Sequence, residues 1–274
     1  MIRLMISALV GMFSLCGACG FAASPDDLTS TTAQGAASQP PATWEDRPIT
    51  WKSLAPDIVH DQRPIWTFPG QLARGEDWKP TLAIGAIFAG LVVLDPHASP
   101  QFRNNSSFSE FNRVVSASNS EIAFALVPVS LYAIGTLRKN SYATQTSLLT
   151  LEAVADSEIL GWVSQTATGR LRPRAVPPGG DYSDTWFKTY HPLLHAGGGL
   201  PSTHALGAFA LATIVTHRYK SHRWVPYVAY GAATLVCFSR VSEQAHFPSD
   251  VFLGAALGYV ISRFVAMPGR EPEE

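Results

Sequence analysis

The residues with the clearest chemical potential lie at 239–250, where an arginine, a histidine and an aspartate precede an apolar stretch. They are Arg240, His246 and Asp250. An aspartate that accepts a hydrogen bond from one histidine nitrogen fixes the tautomer and leaves the other nitrogen free to attack. Alone, His246 could equally be structural, but this spacing makes it a candidate nucleophile that Asp250 orients.

A second group of polar residues lies at 197–204, which reads Gly-Gly-Gly-Leu-Pro-Ser-Thr-His and opens a predicted helix. Glycines let the backbone approach a ligand closely, and Ser202 is a good N-cap residue. The free N–H groups of a helix start form an anion site, so His204 in the first turn would lie close to a bound anion. Ser202 as a nucleophile is set aside, because the G-x-S-x-G spacing is absent.

A third group is the arginine-rich segment 168–174, in a chain of which only 15% of the residues are charged. A planar guanidinium offers paired donors that suit phosphate oxygens. By itself such a run is more often a solvated face, so the phosphate interpretation depends on the other two groups.

Together the three groups resemble the signature of the type 2 phosphatidic acid phosphatase and vanadium haloperoxidase superfamily. That signature is Lys, six residues and Arg-Pro, then Pro-Ser-Gly-His, then Ser-Arg, five residues, His, three residues and Asp. The resemblance extends over about residues 80–265 and rests on Arg172-Pro173, on 201–204 and on Ser239, Arg240, His246 and Asp250. Two positions depart from it. Gln165 stands in the lysine position and brings no charge, and Thr203 replaces the glycine.

The resemblance implies a metal-independent phosphatase without a cofactor that works through a phosphohistidine. His246 would attack phosphorus, Asp250 would orient its ring, and His204 would protonate the leaving alcohol and then activate water. The implied phosphate-binding residues are Arg172, Arg240, Ser202, Thr203 and, as a neutral donor, Gln165. The expected substrate is a phosphorylated small molecule or lipid, with a lipid phosphate or diphosphate favoured.

Three other functions stay open at this point. A haloperoxidase would use bound vanadate in the same site. A hydrolase that binds zinc or another metal would use His204, His246 and Asp250, although neighbouring arginines would repel a cation. A non-catalytic phosphate- or lipid-binding protein is suggested by Gln165.

The elements that must position these residues are helices. Apolar segments with helical periodicity alternate with breakers, and strand-like alternation is scarce, which predicts an all-α bundle with about six core helices. The predicted helices are 80–95, 121–137, 145–168, 203–217, 224–239 and 250–265. They form a helical phosphatase domain at 80–267, preceded by an irregular N-terminal collar at 44–79 and followed by a tail at 268–274.

The N-terminus predicts export. Residues 1–23 have the basic start, apolar stretch and small-residue end of a signal peptide, and 24–43 have the composition of a disordered linker. The longest uncharged apolar runs, 80–94, 122–137 and 224–239, are shorter than the roughly 18 to 20 residues that span a bilayer. A basic turn at 217–223 also conflicts with six crossings that follow an exported N-terminus.

We therefore expect an exported, periplasmic domain that contacts a membrane surface, with an integral membrane protein as the alternative. The formal net charge of −1 gives no reason to expect nucleic acid as a partner.

Overall fold

The computed structural model describes residues 49–103, 105–189 and 198–267, and all regular secondary structure in these ranges is helical. The all-α prediction is therefore confirmed. The predicted signal peptide, the linker, the first residues of the collar and the tail at 268–274 lie outside the described residues. The helices are α1 (Trp51–Ala73), α2 (Trp78–Ala98), α3 (Ser109–Val114), α4 (Ala117–Leu137), α5 (Ser141–Thr168), α6 (Thr203–Arg218), α7 (Val225–Ser242) and α8 (Pro248–Ile261).

The six predicted core helices correspond to α2 and α4–α8, with boundaries that differ by a few residues. Local chemistry explains several of their ends. The side chain of Asn140 caps α5 at the N–H of Ala143, and the side chain of Ser202 caps α6 at the N–H of Ala205. Gly169 ends α5 in the left-handed conformation, which a glycine adopts without strain.

Most of the segment that was predicted as an irregular collar or short helices forms α1, one helix of 23 residues. Thr50 and Ser53 form a capping box at its start. A proline inside a helix removes one backbone hydrogen bond and ordinarily disfavours the helix. The helix nevertheless contains Pro56, Pro64 and Pro69, and it packs on α5, where Gln62 donates a 2.8 Å hydrogen bond to Asp156.

The centre of the bundle is α6, which packs against α5, α7 and α8. Its Ala205, Leu206 and Ala210 are fully buried. The approach of α8 is very close, since a Cβ added to Gly258 would lie 2.2 Å from the carbonyl oxygen of Leu206. This arrangement gathers the end of α5, the start of α6, the end of α7 and the start of α8 at one end of the bundle.

Three helical stretches are long and apolar enough to cross a membrane: Trp78–Phe102, Ser106–Leu137 and Pro248–Ala266. The expectation that the apolar segments are too short to span is wrong for these three. The sequence argument counted only uncharged runs, whereas the helices continue past isolated charges such as Asp95. Large apolar side chains point outward from α2 and α4, among them Val93, Val129 and Leu137. Such faces favour association with a membrane.

Candidate active site

Backbone hydrogen bonds join the three polar groups that the sequence singled out. The N–H of Gly199 donates to the carbonyl of Arg170 at 2.7 Å, and the N–H of Ser202 donates to the carbonyl of Asp250 at 3.0 Å. The N–H of Arg174 donates to the carbonyl of Gln244 at 2.9 Å. The structure thus brings together the segments around 172, 202 and 246.

His246 is buried, and its Nδ1 lies 2.7 Å from the carbonyl oxygen of Gly199. A carbonyl oxygen only accepts, so Nδ1 carries the proton and Nε2 of the neutral ring keeps its lone pair. Burial lowers the pKa of His246 well below its usual range, and the charge of Arg172 adds to this effect. The ring is therefore neutral near pH 7, in the form that a nucleophile requires.

Asp250 departs from the predicted role of direct hydrogen-bond acceptor for His246. Its Oδ2 lies 4.0 Å from Nδ1, beyond hydrogen-bond distance, and accepts instead from the N–H of Phe247 at 2.9 Å. Its Oδ1 accepts from Arg170 at 2.5 Å. The acceptor that fixes the tautomer of His246 is therefore the Gly199 carbonyl.

Arg240 is almost fully buried at the end of α7. Its Nη2 donates to the carbonyl of Val115 at 2.8 Å and to Oγ of Ser239 at 2.6 Å, and it pairs with Glu243 at 3.3 Å. These partners fix the guanidinium plane, and Nη1 takes part in none of these contacts. Burial lowers the pKa of Arg240, although Glu243 opposes the shift.

Arg172 is half-buried, and its Nε makes no hydrogen bond with any described residue. Burial lowers the pKa of Arg172, and the positive charges of Arg174 and Arg240 lower it further, while Asp250 raises it. These positive charges repel one another near a buried histidine. An anion bound between them would offset that repulsion and would accept their hydrogen bonds.

The start of α6 supplies the backbone part of the site. Ser202 is fully buried, with its side chain engaged as the N-cap, and Thr203 is the first helical residue. A helix of 16 residues presents free N–H groups and a partial positive charge at this end. The N-cap role of Ser202 was predicted from the sequence.

His204 lies in the first turn of α6, where its Nε2 is 3.4 Å from the Glu121 carboxylate. That nitrogen makes no hydrogen bond with a described residue. Burial lowers the pKa of His204, the charge of Arg240 lowers it further, and Glu121 and a hydrogen bond to the backbone of Ala117 raise it. Sequence reasoning missed Glu121, which no motif marks and which lies 83 positions from His204.

Gln165 is buried, and its Nε2 donates to the carbonyl of Pro201 at 2.8 Å. Its amide therefore supports the loop before α6, with one N–H engaged there. The backbone of this loop lies close against α5, since a Cβ added to Gly198 would be 2.3 Å from the carbonyl oxygen of Gln165. The prediction of Gln165 as a phosphate donor stays a prediction.

Within the described residues, no group of three His, Cys, Asp or Glu side chains is placed to hold a metal ion. The zinc hydrolase alternative thus gains no support from the geometry.

The structure defines an all-α bundle that gathers two histidines, two arginines and a helix N-terminus at one end. Residues 146–268 match the family model of the PAP2 superfamily. This match confirms the resemblance inferred from the motifs.

Among solved structures, the chain is similar to a transmembrane PAP2-type phosphatidylglycerolphosphate phosphatase from Bacillus subtilis, at 19% identity and a TM-score of 0.40. The similarity covers 76% of this chain and 94% of that one. No curated protein sequence matches the chain.

Proposed function

We propose that this protein is a phosphatase that hydrolyses phosphate esters through a phosphohistidine on His246, without a metal. The observation that carries the proposal is the 2.7 Å contact between Nδ1 of His246 and the Gly199 carbonyl. It leaves Nε2 as the free nucleophile. Arg172 and Arg240 are close enough to lower the pKa of the ring by their charge.

The reaction has two steps. In the first, the phosphate is held by Arg172, Arg240 and the N–H groups at the start of α6. Nε2 of His246 forms a bond to phosphorus while the bond from phosphorus to the ester oxygen breaks. His204 donates its proton to the departing oxygen.

In the second step, neutral His204 accepts a proton from a water molecule, and the water oxygen forms a bond to phosphorus. The bond between Nε2 and phosphorus breaks, which releases inorganic phosphate and restores the neutral ring. Asp250, 4.0 Å from Nδ1, stabilises the positive charge that the ring carries while it is phosphorylated.

The outward apolar faces of α2 and α4 support a lipid phosphate as substrate. A protein held at a bilayer meets lipid headgroups at high local concentration. Within the site, the arginines and the start of α6 can neutralise the charge of any phosphoryl group. The evidence for a lipid substrate is therefore the apolar surface of α2 and α4, and not the site itself.

The test is phosphate release by the purified full-length protein in detergent. The panel contains a lipid phosphate, a polyprenyl diphosphate and a soluble phosphomonoester, each with and without EDTA. His246→Ala should lower the rate by about 10³-fold or more, because it removes the nucleophile. His222→Ala is the matched control, since His222 lies beyond the opposite end of α6 from His204.

Trapping the phosphorylated enzyme tests whether the intermediate is a phosphohistidine. Rapid quenching with a ³²P-labelled substrate should give a label that is stable to base and labile to acid, and that is absent in His246→Ala. Full activity of His246→Ala, or loss of activity with EDTA, would overturn the proposal. Tight vanadate binding without turnover of any substrate would instead favour a non-catalytic binding protein.

A further inference from the structure

Arg170 is a buried arginine of the loop that also carries Arg172, and protein groups engage four of its five N–H donors. It is 1% exposed. Its Nη2 donates to Oδ2 of Asp95 at 2.7 Å, and its Nη1 donates to Oδ1 of Asp250 at 2.5 Å and to Oγ of Ser249 at 2.7 Å. Its Nε lies 3.4 Å from Oγ1 of Thr185.

Aromatic rings fix the plane of this guanidinium. The centroid of the Trp186 ring lies 4.5 Å from its central carbon, and that of Phe247 lies 4.3 Å away. A side chain held by so many contacts is rigid, and it transmits a displacement of one neighbour to the others.

Asp95 is the far end of this cluster and comes from α2, outside the residues that match the PAP2 family model. It is fully buried. Besides Arg170, it accepts hydrogen bonds from the N–H of Ser249 at 3.2 Å and from its hydroxyl at 2.5 Å. Two carboxyl groups, those of Asp95 and Asp250, thus share the guanidinium of Arg170.

Arg170 supports both groups that face Nδ1 of His246. Its side chain holds Asp250, whose Oδ2 lies 4.0 Å from that nitrogen. Its backbone carbonyl accepts from the N–H of Gly199 at 2.7 Å, and the Gly199 carbonyl contacts Nδ1. Arg170 therefore fixes both the Gly199 carbonyl, which sets the tautomer of His246, and the carboxyl group of Asp250, which faces the ring.

We propose that Asp95 and Arg170 are positioning residues that hold Asp250 and Gly199 around Nδ1 of His246. The proposal rests on the proposed function. Phosphorylation at Nε2 gives a ring with a positive charge, and a negative neighbour stabilises it. Asp95 holds the guanidinium of Arg170, and Arg170 in turn holds Asp250, whose Oδ2 lies 4.0 Å from Nδ1 of the ring. Neither positioning residue contacts the phosphate.

The test is the split between kcat and KM in Asp95→Asn, measured on the best substrate of the wild-type panel. The asparagine keeps the shape of the side chain and removes its charge. We expect kcat to fall about 10-fold to 100-fold. KM should stay unchanged, because no phosphate-binding residue is altered. The labelled phosphoenzyme should form more slowly by the same factor.

The matched control is Asp156→Asn. Asp156 is also fully buried, lies on α5 nine residues before Gln165, and accepts a hydrogen bond from Gln62 of α1. Asp156→Asn shows how much stability is lost when any buried carboxylate is removed. The kcat of this variant should stay near that of the wild type. If Asp95→Asn does not fold, Ser249→Ala removes one link between Asp95 and Arg170 in a milder way, and its kcat should also fall with KM unchanged.

A kcat of Asp95→Asn or Ser249→Ala equal to that of Asp156→Asn would overturn the positioning role. So would a rise in KM with kcat unchanged. Wild-type protein that releases no phosphate from any substrate would overturn the proposed function and this inference with it, which separates that failure from a failure of Asp95 alone.

Discussion

Gly198→Ala tests how closely the loop before α6 must approach α5. A Cβ at this position would lie 2.3 Å from the carbonyl oxygen of Gln165 and 3.1 Å from its Cα. Both atoms belong to the backbone of a buried helix, so the loop itself must move. Restoring a separation of 3.0 Å needs a shift from 2.3 Å, about 0.7 Å.

This shift acts directly on the nucleophile, because the next residue carries the carbonyl that contacts Nδ1 of His246 at 2.7 Å. A misplacement of about 1 Å in a catalytic group can lower a rate by about 10²-fold, so we expect kcat of Gly198→Ala to fall about 30-fold to 100-fold. The assay is the initial rate of phosphate release at saturating substrate, together with the thermal midpoint of the purified protein.

Two glycines of the same chain provide controls. Gly258→Ala meets a comparable clash, 2.2 Å from the Leu206 carbonyl, but lies eight residues or roughly 12 Å along α8 from Asp250. It should lower the midpoint as much as Gly198→Ala and lower kcat far less. Gly231→Ala on α7 has open space around its Cβ and should leave both unchanged. A kcat of Gly198→Ala within twofold of the wild type would refute the reasoning.

The pH profile and the helix cap offer further tests. His246 must be neutral to attack, and its pKa lies below the ordinary histidine value of 6.5. On the acid limb of the kcat/KM profile, activity is therefore lost as the pH falls through this lowered pKa. His204 must be protonated to donate, so activity is lost as the pH rises through its own lowered pKa, which gives an acidic optimum. Glu121→Gln removes a charge that raises the pKa of His204 and should move the alkaline limb to lower pH; an unmoved limb would exclude this role of His204. Ser202→Ala removes the N-cap of α6 and should lower the free energy of unfolding by about 1 kcal/mol, visible as a lower thermal midpoint.

Much of this architecture could be predicted from the chain, because its helices are strongly periodic and the site residues have fixed spacings. The grouping of Arg172, His204 and His246 followed from the motifs. The helix α1 could not be predicted in the same way, since its prolines are local signals against a helix, while the packing on α5 that favours it is a tertiary effect.

Other features depend on contacts that no local pattern encodes. The predicted helix ended at Asp95, before Pro96, yet α2 continues through both residues to Ala98. The signal that could have identified its role is that it is the only Asp, Glu, Lys or Arg in residues 80–102. A lone carboxylate in an apolar helix needs a partner, and Arg170 could be identified only from the fold. The acceptor for His246 escaped prediction because it is a backbone carbonyl, which every residue possesses.

The pairing of Asp95 with Arg170 also bears on the order in which the chain is assembled during synthesis. Arg170 follows Asp95 by 75 residues, so α2 leaves the ribosome long before its countercharge exists. An aspartate at the centre of a helix in a bilayer costs about 2.5–3.5 kcal/mol, and less towards an end, where Asp95 lies. The ion pair that accommodates this buried carboxylate therefore forms only after the loop that follows α5 has been made. A chain interrupted before that loop leaves the Asp95 carboxylate without the guanidinium that pairs with it in the complete bundle.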